Sequence, residues 1–329
     1  MKIIFFSSKP YDKDFFQSAN NSFNFDIRFR EEQLNANTIE FITDETAICV
    51  FVNDTLNEKI ISKLADKGVN IIALRCAGFN NIDLNAATKY GIVVVRVPSY
   101  SPNSIAEHTI GLILSLNRHI PRAYNRVRDG NFSLTGLMGF DLNKRTAGII
   151  GTGKIGSIVA HILKSFGMHV IAYDPVENTN CAKAGIKYVS KETLFETSDI
   201  ISLHCPLTSD TQHLINKKSI SSMKDGVMLI NTSRGNVLDT CAIIEGLKQK
   251  KIAYLGLDVY EQESELFFKD MSCEIIQDDI FQLLLTFPNV LVTAHQAFFT
   301  EDALTNIATT TLLNLQAFHK GESLINKVK

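Results

Sequence analysis

Four stretches of this sequence end on side chains that can do chemistry. They are His204-Cys205-Pro206, Asn231-Thr232-Ser233-Arg234-Gly235, Asp258 followed by Glu261, Glu263 and Glu265, and Ala294-His295-Gln296. Each follows an apolar run that reads as a strand, and ligands in open α/β sheets bind beyond the carboxyl ends of strands. Imidazoles, a guanidinium and carboxylates at such ends suit proton exchange on a carbonyl oxygen combined with capture of a carboxylate. Arginine holds a carboxylate through two parallel hydrogen bonds, which lysine does poorly. Histidine titrates in the right range for the proton, and a carboxylate beside it orients the ring and favours its charged form. Spacing alone leaves choices open. Either His204 or His295 could be the acid/base, or both could be structural. Arg234 could equally belong to a surface ion pair, and the three alternate glutamates could be a solvated edge.

A second pattern supplies the other half of a reaction. Between Thr146 and Pro175, a short apolar run (Ala147 to Ile150) leads into Gly151-Thr152-Gly153-Lys154-Ile155-Gly156. An amphipathic helix follows, with Ile155, Ile158, Val159, Ile162 and Leu163 on one face, and then a second apolar run, Met168 to Tyr173, ending on Asp174. Gly151 permits the tight turn, Gly153 lets a pyrophosphate approach the backbone, and Gly156 lets helix and strand pack closely. The helix N-terminus offers free N–H groups to the phosphates, and Asp174 can accept from the adenosine ribose hydroxyls. Strand, helix, second strand and terminal acid in register predict a dinucleotide site. Residues 175–178 carry no arginine or lysine for a 2′-phosphate, which favours NAD over NADP. Nicotinamide chemistry on a small 2-oxo acid would use the arginine, histidine and carboxylate of the strand ends.

The totals narrow the class. The 329 residues suffice for two domains, and 45% hydrophobic with 21% charged is ordinary for a globular chain. A net charge of −2 gives no basic bias toward nucleic acid or an anionic membrane. Six scattered cysteines show neither C-x-x-C nor metal-ligand spacing, so no metal is expected and a reducing, cytoplasmic setting is. No signal peptide and no run long enough to span a membrane is read.

The elements that must hold these residues alternate strand and helix, which predicts parallel sheets covered on their faces. Strands are expected at Lys2–Phe6, Asp26–Phe29, Ala47–Val52, Ile71–Arg75 and Ile92–Val97, with helices over Leu56–Lys67 and Leu84–Tyr90 closed by Gly68 and Gly91. No glycine-rich phosphate loop follows the first strand, so this half need not bind a nucleotide. The prolines of Val97-Pro98-Ser99-Tyr100-Ser101-Pro102 mark a boundary. Ser104 and Glu107 suggest a capping box for a long, partly apolar helix over Ser104–Arg128, a candidate subunit interface. After the dinucleotide unit, strands are expected at Asp199–Leu203, Gly226–Asn231, Tyr254–Val259 and Val290–Ala294, and Thr300 can cap a last helix through His319. That helix is expected to return to the first domain. The division is 1–101 with 299–329 as substrate domain and 102–298 as NAD-binding domain, with hinges near 100 and 298 and a cleft beneath.

The motifs Gly151 to Gly156, Asn231-Thr232-Ser233-Arg234-Gly235, Asp258-Val259-Tyr260-Glu261 and Thr293-Ala294-His295-Gln296-Ala297-Phe298 resemble the D-isomer-specific 2-hydroxyacid dehydrogenases. Residues 72–84, 203–208, 264–269 and 277–280 resemble the bacterial fermentative D-lactate branch of that family. The resemblance runs over essentially the whole chain. It implies a Rossmann NAD-binding domain inserted into a discontinuous flavodoxin-like substrate domain, and reduction of pyruvate to D-lactate by NADH. It assigns Arg234 as carboxylate binder, His295 as acid/base and Glu263, out of the acidic trio, as its partner. It implies that Cys76-Ala77-Gly78 amides and Tyr100 hold substrate between the walls Phe51 and Phe298. Asp258, Thr232 and the Cys205-Pro206 turn would line the nicotinamide side, with His204 a cofactor-wall residue. Other family members usually have proline after the catalytic glutamate; Ser264 and the insertion Phe267–Phe281 instead fit the lactate branch. A larger 2-oxo acid such as 2-oxoisocaproate or phenylpyruvate is the alternative substrate. NAD-sensing corepressors, binding modules of similar fold, are a more distant alternative; the extra tails they usually carry are not expected here. A homo-oligomer, dimer or tetramer, is expected.

Overall fold

The computed structural model describes residues 1–328; Lys329 and the side chain of Glu265 lie outside the described residues. Two compact units form, Met1–Ser101 with Phe299–Lys329, and Pro102–Phe298.

The first unit is built on five strands: β1 Lys2–Phe5, β2 Asp26–Phe29, β3 Ala47–Val50, β4 Ile71–Leu74 and β5 Val93–Arg96. They pair in the order β2-β1-β3-β4-β5, all parallel, the flavodoxin-like arrangement. Every residue of β3 and β4 is buried, as an unbroken apolar run covered on both faces requires. The helices Glu58–Asp66 and Leu84–Lys89 start where Asn57 and Asp83 accept from the Ile60 and Ala86 N–H groups. Gly68 and Gly91 follow with positive φ. A helix over Pro10–Asn20 was not expected; Phe16 is its only buried apolar residue, so its periodic signal is faint. The last helix, Glu301–His319, is capped by Thr300 and packs on that first helix.

The second unit adds β6 Thr146–Ile150, β7 His169–Tyr173, β8 Lys187–Tyr188, β9 Ile200–Leu203, β10 Val227–Asn231, β11 Ile252–Leu257 and β12 Val290–Val292. Their order is β12-β11-β10-β9-β6-β7-β8, again all parallel. Chain direction across the sheet reverses between β6 and β9, and a Rossmann sheet opens its crevice at such a switch. Separate apolar cores include Ile201, Leu229 and Leu255 in one and Ile149, Met228 and Ile230 in the other, so alternate strand residues serve the two faces.

Two expectations about the helix after the boundary fail. Pro102 takes the first helical position, which its fixed φ and missing N–H suit, so Ser104 lies inside the first turn rather than capping it. The expected single helix is two, Pro102–Asn117 and Ile120–Arg128, broken at His119 (φ 51°) just before Pro121. Among the described residues no helix is long and apolar enough to cross a membrane.

Candidate active site

The carboxyl ends of β10, β11 and β12 are tied in succession. The Asp258 N–H donates to the Asn231 carbonyl at 2.9 Å, and the His295 N–H donates to the Asp258 carbonyl at 2.8 Å. His295 follows β12 in a left-handed conformation (φ 53°), costly for a residue with a Cβ and tolerated where surroundings enforce it. The enforcement comes from Asp258, only 1% exposed. Its carboxylate accepts from Thr293 Oγ1 at 2.5 Å, the Gln296 N–H at 2.9 Å and the Ala297 N–H at 3.0 Å, with His108 Nε2 3.4 Å away. Burial alone would raise its pKa, but hydrogen bonds from His108 and Thr293, the neighbouring His295 and the Ala297 N–H outweigh it and lower the carboxyl below its ordinary value. Asp258 thus clamps the turn that presents His295.

The His295 Nδ1 lies 2.9 Å from Glu263 Oε1. A carboxylate only accepts, so Nδ1 carries the hydrogen and Nε2 is left to exchange a proton. Glu263 is fixed in turn: its Oε2 accepts from the Tyr260 N–H at 3.1 Å, and it opens the one-turn helix Glu263–Leu266. Of the acidic trio, Glu261 serves elsewhere. It accepts from His213 Nε2 at 2.8 Å and from the Thr240 N–H at 2.9 Å. The side chain of the third, Glu265, lies outside the described residues. Rings flank the imidazole, with Phe298 at 6.5 Å and Phe268 at 5.7 Å between centroids. Phe268, from the insertion after Glu263, was not singled out from the sequence and itself has φ 64°.

Arg234 stands on a turn locked by Asn231. That buried side chain donates to the Arg234 carbonyl at 2.9 Å and accepts from the Ser233 N–H at 3.0 Å. Gly235 is obligatory, since a Cβ there would lie 2.1 Å from the Tyr260 carbonyl carbon. The guanidinium donates to the Ser233 carbonyl at 2.7 Å, and no carboxylate among the described residues pairs with it. The surface ion pair left open by the sequence is therefore absent there, and the fork can take an anion. Thr232 shares a hydrogen bond of 2.9 Å with Thr109 on the helix Pro102–Asn117.

The glycine turn lies at the switch point. Gly151 and Gly156 sit against each other and against His204: a Cβ on Gly156 would come within 1.9 Å of the Gly151 carbonyl oxygen, and one on Gly151 within 2.7 Å of the His204 backbone. At Gly153 nothing lies within 4 Å of that position. Two close approaches inside and open space outside form the cradle a pyrophosphate needs, so these residues fit a dinucleotide. Lys154 and Ile155 begin the helix Lys154–Ser165; Lys154 is exposed, while Ile155 packs toward the core. Asp174 accepts from the Thr152 N–H at 2.6 Å and the Val176 N–H at 2.9 Å. Asn178 and Tyr188, both missed from the sequence, bond the Thr152 carbonyl and hydroxyl at 2.8 Å each. A carboxamide and a phenol distant in sequence gave no spacing to notice. His204 meets Ser202 Oγ at 2.8 Å, and burial pushes its pKa down to about 3. That shift disfavours the charged imidazolium a proton donor needs. Burial likewise pushes the Cys205 thiol up to about 11, and the Pro206 carbonyl accepts from Thr211 at 2.6 Å.

In the first unit, the remaining candidates sit at the carboxyl ends of β3, β4 and β5. Phe51 is buried beneath the Arg75 guanidinium, 4.9 Å from its ring centroid, and its N–H donates to Asp54 at 2.6 Å. Ala77 and Gly78 follow β4 half-buried, and the Tyr100 carbonyl accepts from Asn306 at 2.8 Å.

Residues 110–297 match the family model of the D-isomer specific 2-hydroxyacid dehydrogenase NAD binding domain. The chain is 50% identical to the D-lactate dehydrogenase of Escherichia coli over 328 residues, 100% of each chain. It superposes on the pyruvate reductase of Chlamydomonas reinhardtii with a TM-score of 0.94 at 45% identity, covering 99% and 98% of the two chains. A D-lactate dehydrogenase from Aquifex aeolicus, solved with NAD and lactic acid, gives 0.88 at 38% identity over 97% and 96%. By strand order, glycine turn and this full-length similarity, the chain belongs to the D-isomer-specific 2-hydroxyacid dehydrogenase family.

Proposed function

We propose that this protein is an NAD-dependent D-lactate dehydrogenase, reducing pyruvate to D-lactate and so regenerating NAD in fermentation. The observation that carries the assignment of roles is the His295–Glu263 pair at 2.9 Å, at the carboxyl end of the same sheet that carries Arg234, an arginine without an acidic partner among the described residues. Bound NADH supplies the hydride that adds to the ketone carbon. Arg234 takes the substrate carboxylate with its planar fork and lies on hand to polarise the ketone. His295 gives its Nε2 proton to the ketone oxygen as that atom gains charge, and Glu263 holds the ring by Nδ1 throughout. On the family resemblance we assign the Ala77 and Gly78 amides as further carboxylate donors, and Phe51, Tyr100 and Phe298 as residues whose shape selects a short side chain. Preference among 2-oxo acids rests on such shape and is modest, roughly 1–3 kcal/mol per methylene.

The reading extends to assembly and location. Ile120, Tyr124, Val127, Phe132, Leu134 and Met138 are large exposed side chains on one continuous stretch of sequence, and clustered exposed apolar side chains mark interaction surfaces; we assign this segment to a homo-oligomer contact, a dimer at least. All six cysteines are free thiols, four of them buried, in keeping with a reducing cytoplasm. The test of function is NADH oxidation with pyruvate by wild type and His295→Gln, with the lactate typed by an enantiomer-specific enzyme. Turnover to D-lactate, lost in the variant, is expected. NADH binding without pyruvate turnover would send the assignment to 2-oxoisocaproate or phenylpyruvate.

A further inference from the structure

The two carbonyls preceding the Ala77 and Gly78 amides are both held by groups of the β5 segment. The Cys76 carbonyl accepts from the Val97 N–H at 3.1 Å. The Ala77 carbonyl accepts from the guanidinium of Arg96, at the end of β5, at 2.7 Å. In a trans peptide the C=O and the following N–H point in opposite directions, and no peptide bond is cis among the described residues. The N–H groups of Ala77 and Gly78 are therefore both turned away from β5. Neither has a hydrogen-bond partner among the described residues of this unit, and both residues are half-buried. Polar backbone groups in that position are ordinarily paired. Two neighbouring unpaired N–H groups beyond a strand end form a concave anion seat.

Arg96 is an unusual residue to find behind that seat. No carboxylate among the described residues pairs with it; its charge is directed at a neutral carbonyl, and its guanidinium lies 5.0 Å from the Phe79 ring centroid. Its own backbone is pinned, its N–H to the Asn326 carbonyl at 3.1 Å and its carbonyl to Asn314 at 2.9 Å. A charge-assisted bond to a peptide oxygen fixes the plane of that peptide and polarises it, making its N–H a stronger donor.

We propose that Arg96 is a positioning residue for substrate recognition: its bond to the Ala77 carbonyl aims the Gly78 N–H at the carboxylate of the 2-oxo acid. The proposal rests on the reading of Ala77 and Gly78 as carboxylate donors given above. Arg96 touches neither substrate nor cofactor in this role, so removing it acts on substrate affinity and leaves hydride transfer and NADH binding alone.

The experiment is steady-state reduction of pyruvate by the full chain as wild type, Arg96→Met and Arg96→Lys, with NADH affinity read separately by fluorescence. In Arg96→Met the KM for pyruvate rises at least about tenfold, the scale of a weakened hydrogen bond to a charged group. In the same variant kcat stays within about threefold and NADH affinity is unchanged. Arg96→Lys, which can still donate to the Ala77 carbonyl, recovers most of the KM. A merely structural arginine would lower kcat and NADH affinity together, and that result, or an unmoved KM, overturns the proposal. Should Arg96→Met not fold, Arg96→Gln keeps part of the stem, and the same split is required of it. Failure of wild type to reduce pyruvate would instead strike the functional reading itself, and the two failures are therefore distinct.

Discussion

Arg234 carries a full charge that no described carboxylate neutralises, on a turn built to hold it still. Asn231 fastens both ends of that turn, and Gly235 lets it press on the Tyr260 backbone. Such rigidity is of use only if the direction of the fork matters, because a mobile cation would attract an anion as well. Arg234→Lys keeps the charge and loses the fork. It is expected to lower kcat/KM for pyruvate at least a hundredfold, about 3 kcal/mol of transition-state stabilisation, with NADH affinity preserved. Kinetics near wild type in that variant would remove Arg234 from the carboxylate site. The residue types at strand ends were visible in the sequence, but their pairing was not. His204 and His295 look alike as letters; only burial, which drives the first to about 3, and a carboxylate at 2.9 Å beside the second separate them. The same holds for Glu261 and Glu263, two positions apart and hydrogen-bonded to different histidines.

At the scale of elements, strand runs were the legible part, because a parallel strand buried on both faces reads as a nearly continuous apolar run: β3 and β4 are apolar throughout, and the buried β9 and β10 are interrupted only by Ser202 and Asn231. What lay between them was less so. The break at His119 depends on one residue adopting positive φ, and histidine does not announce that. Arg96 meets Ala77 across 19 positions, a pairing that exists only once β4 and β5 are neighbours. The turn after β12 is the element most exposed to a single change. Asp258 satisfies two N–H groups and a hydroxyl in it, so Asp258→Asn, whose amide would confront N–H groups, is expected to destabilise the second unit by about 2–4 kcal/mol at pH 7. The Asp258 carboxyl titrates lower in the folded protein than its ordinary value. Its contribution is therefore complete above the unfolded value of about 4 and is lost as pH falls through the folded one. Urea midpoints of wild type and variant should stand apart at neutral pH and converge on acidification. A gap that stays constant with pH would mean that the charge of Asp258 is not what holds the turn.

For the whole molecule, the surface carries its own argument. Most large apolar side chains of this chain are inside, yet the stretch from Ile120 to Met138 holds six outside, with Leu134 82% and Met138 87% exposed. Several of them follow the broken helix, where the chain leaves regular structure until β6. Leaving such side chains in water forgoes roughly 1.5–3 kcal/mol each relative to burial, and nothing in the catalytic chemistry requires them there. The second copy proposed above, whose matching surface would bury them in a two-fold contact, would account for both their number and their clustering. The sequence suggested a long helix over Ser104–Arg128 as the interface, whereas the most exposed of these side chains lie in the non-helical segment beyond Arg128. Light scattering of wild type is accordingly expected to give at least twice the chain mass. Leu134→Asp with Met138→Asp would place two charges in the proposed contact and should shift the mass toward one chain without disturbing the fold, since neither side chain is in the core. A wild-type monomer would dismiss the oligomer. A double variant that keeps the oligomeric mass would move the contact to another face and leave this arm without an assigned role.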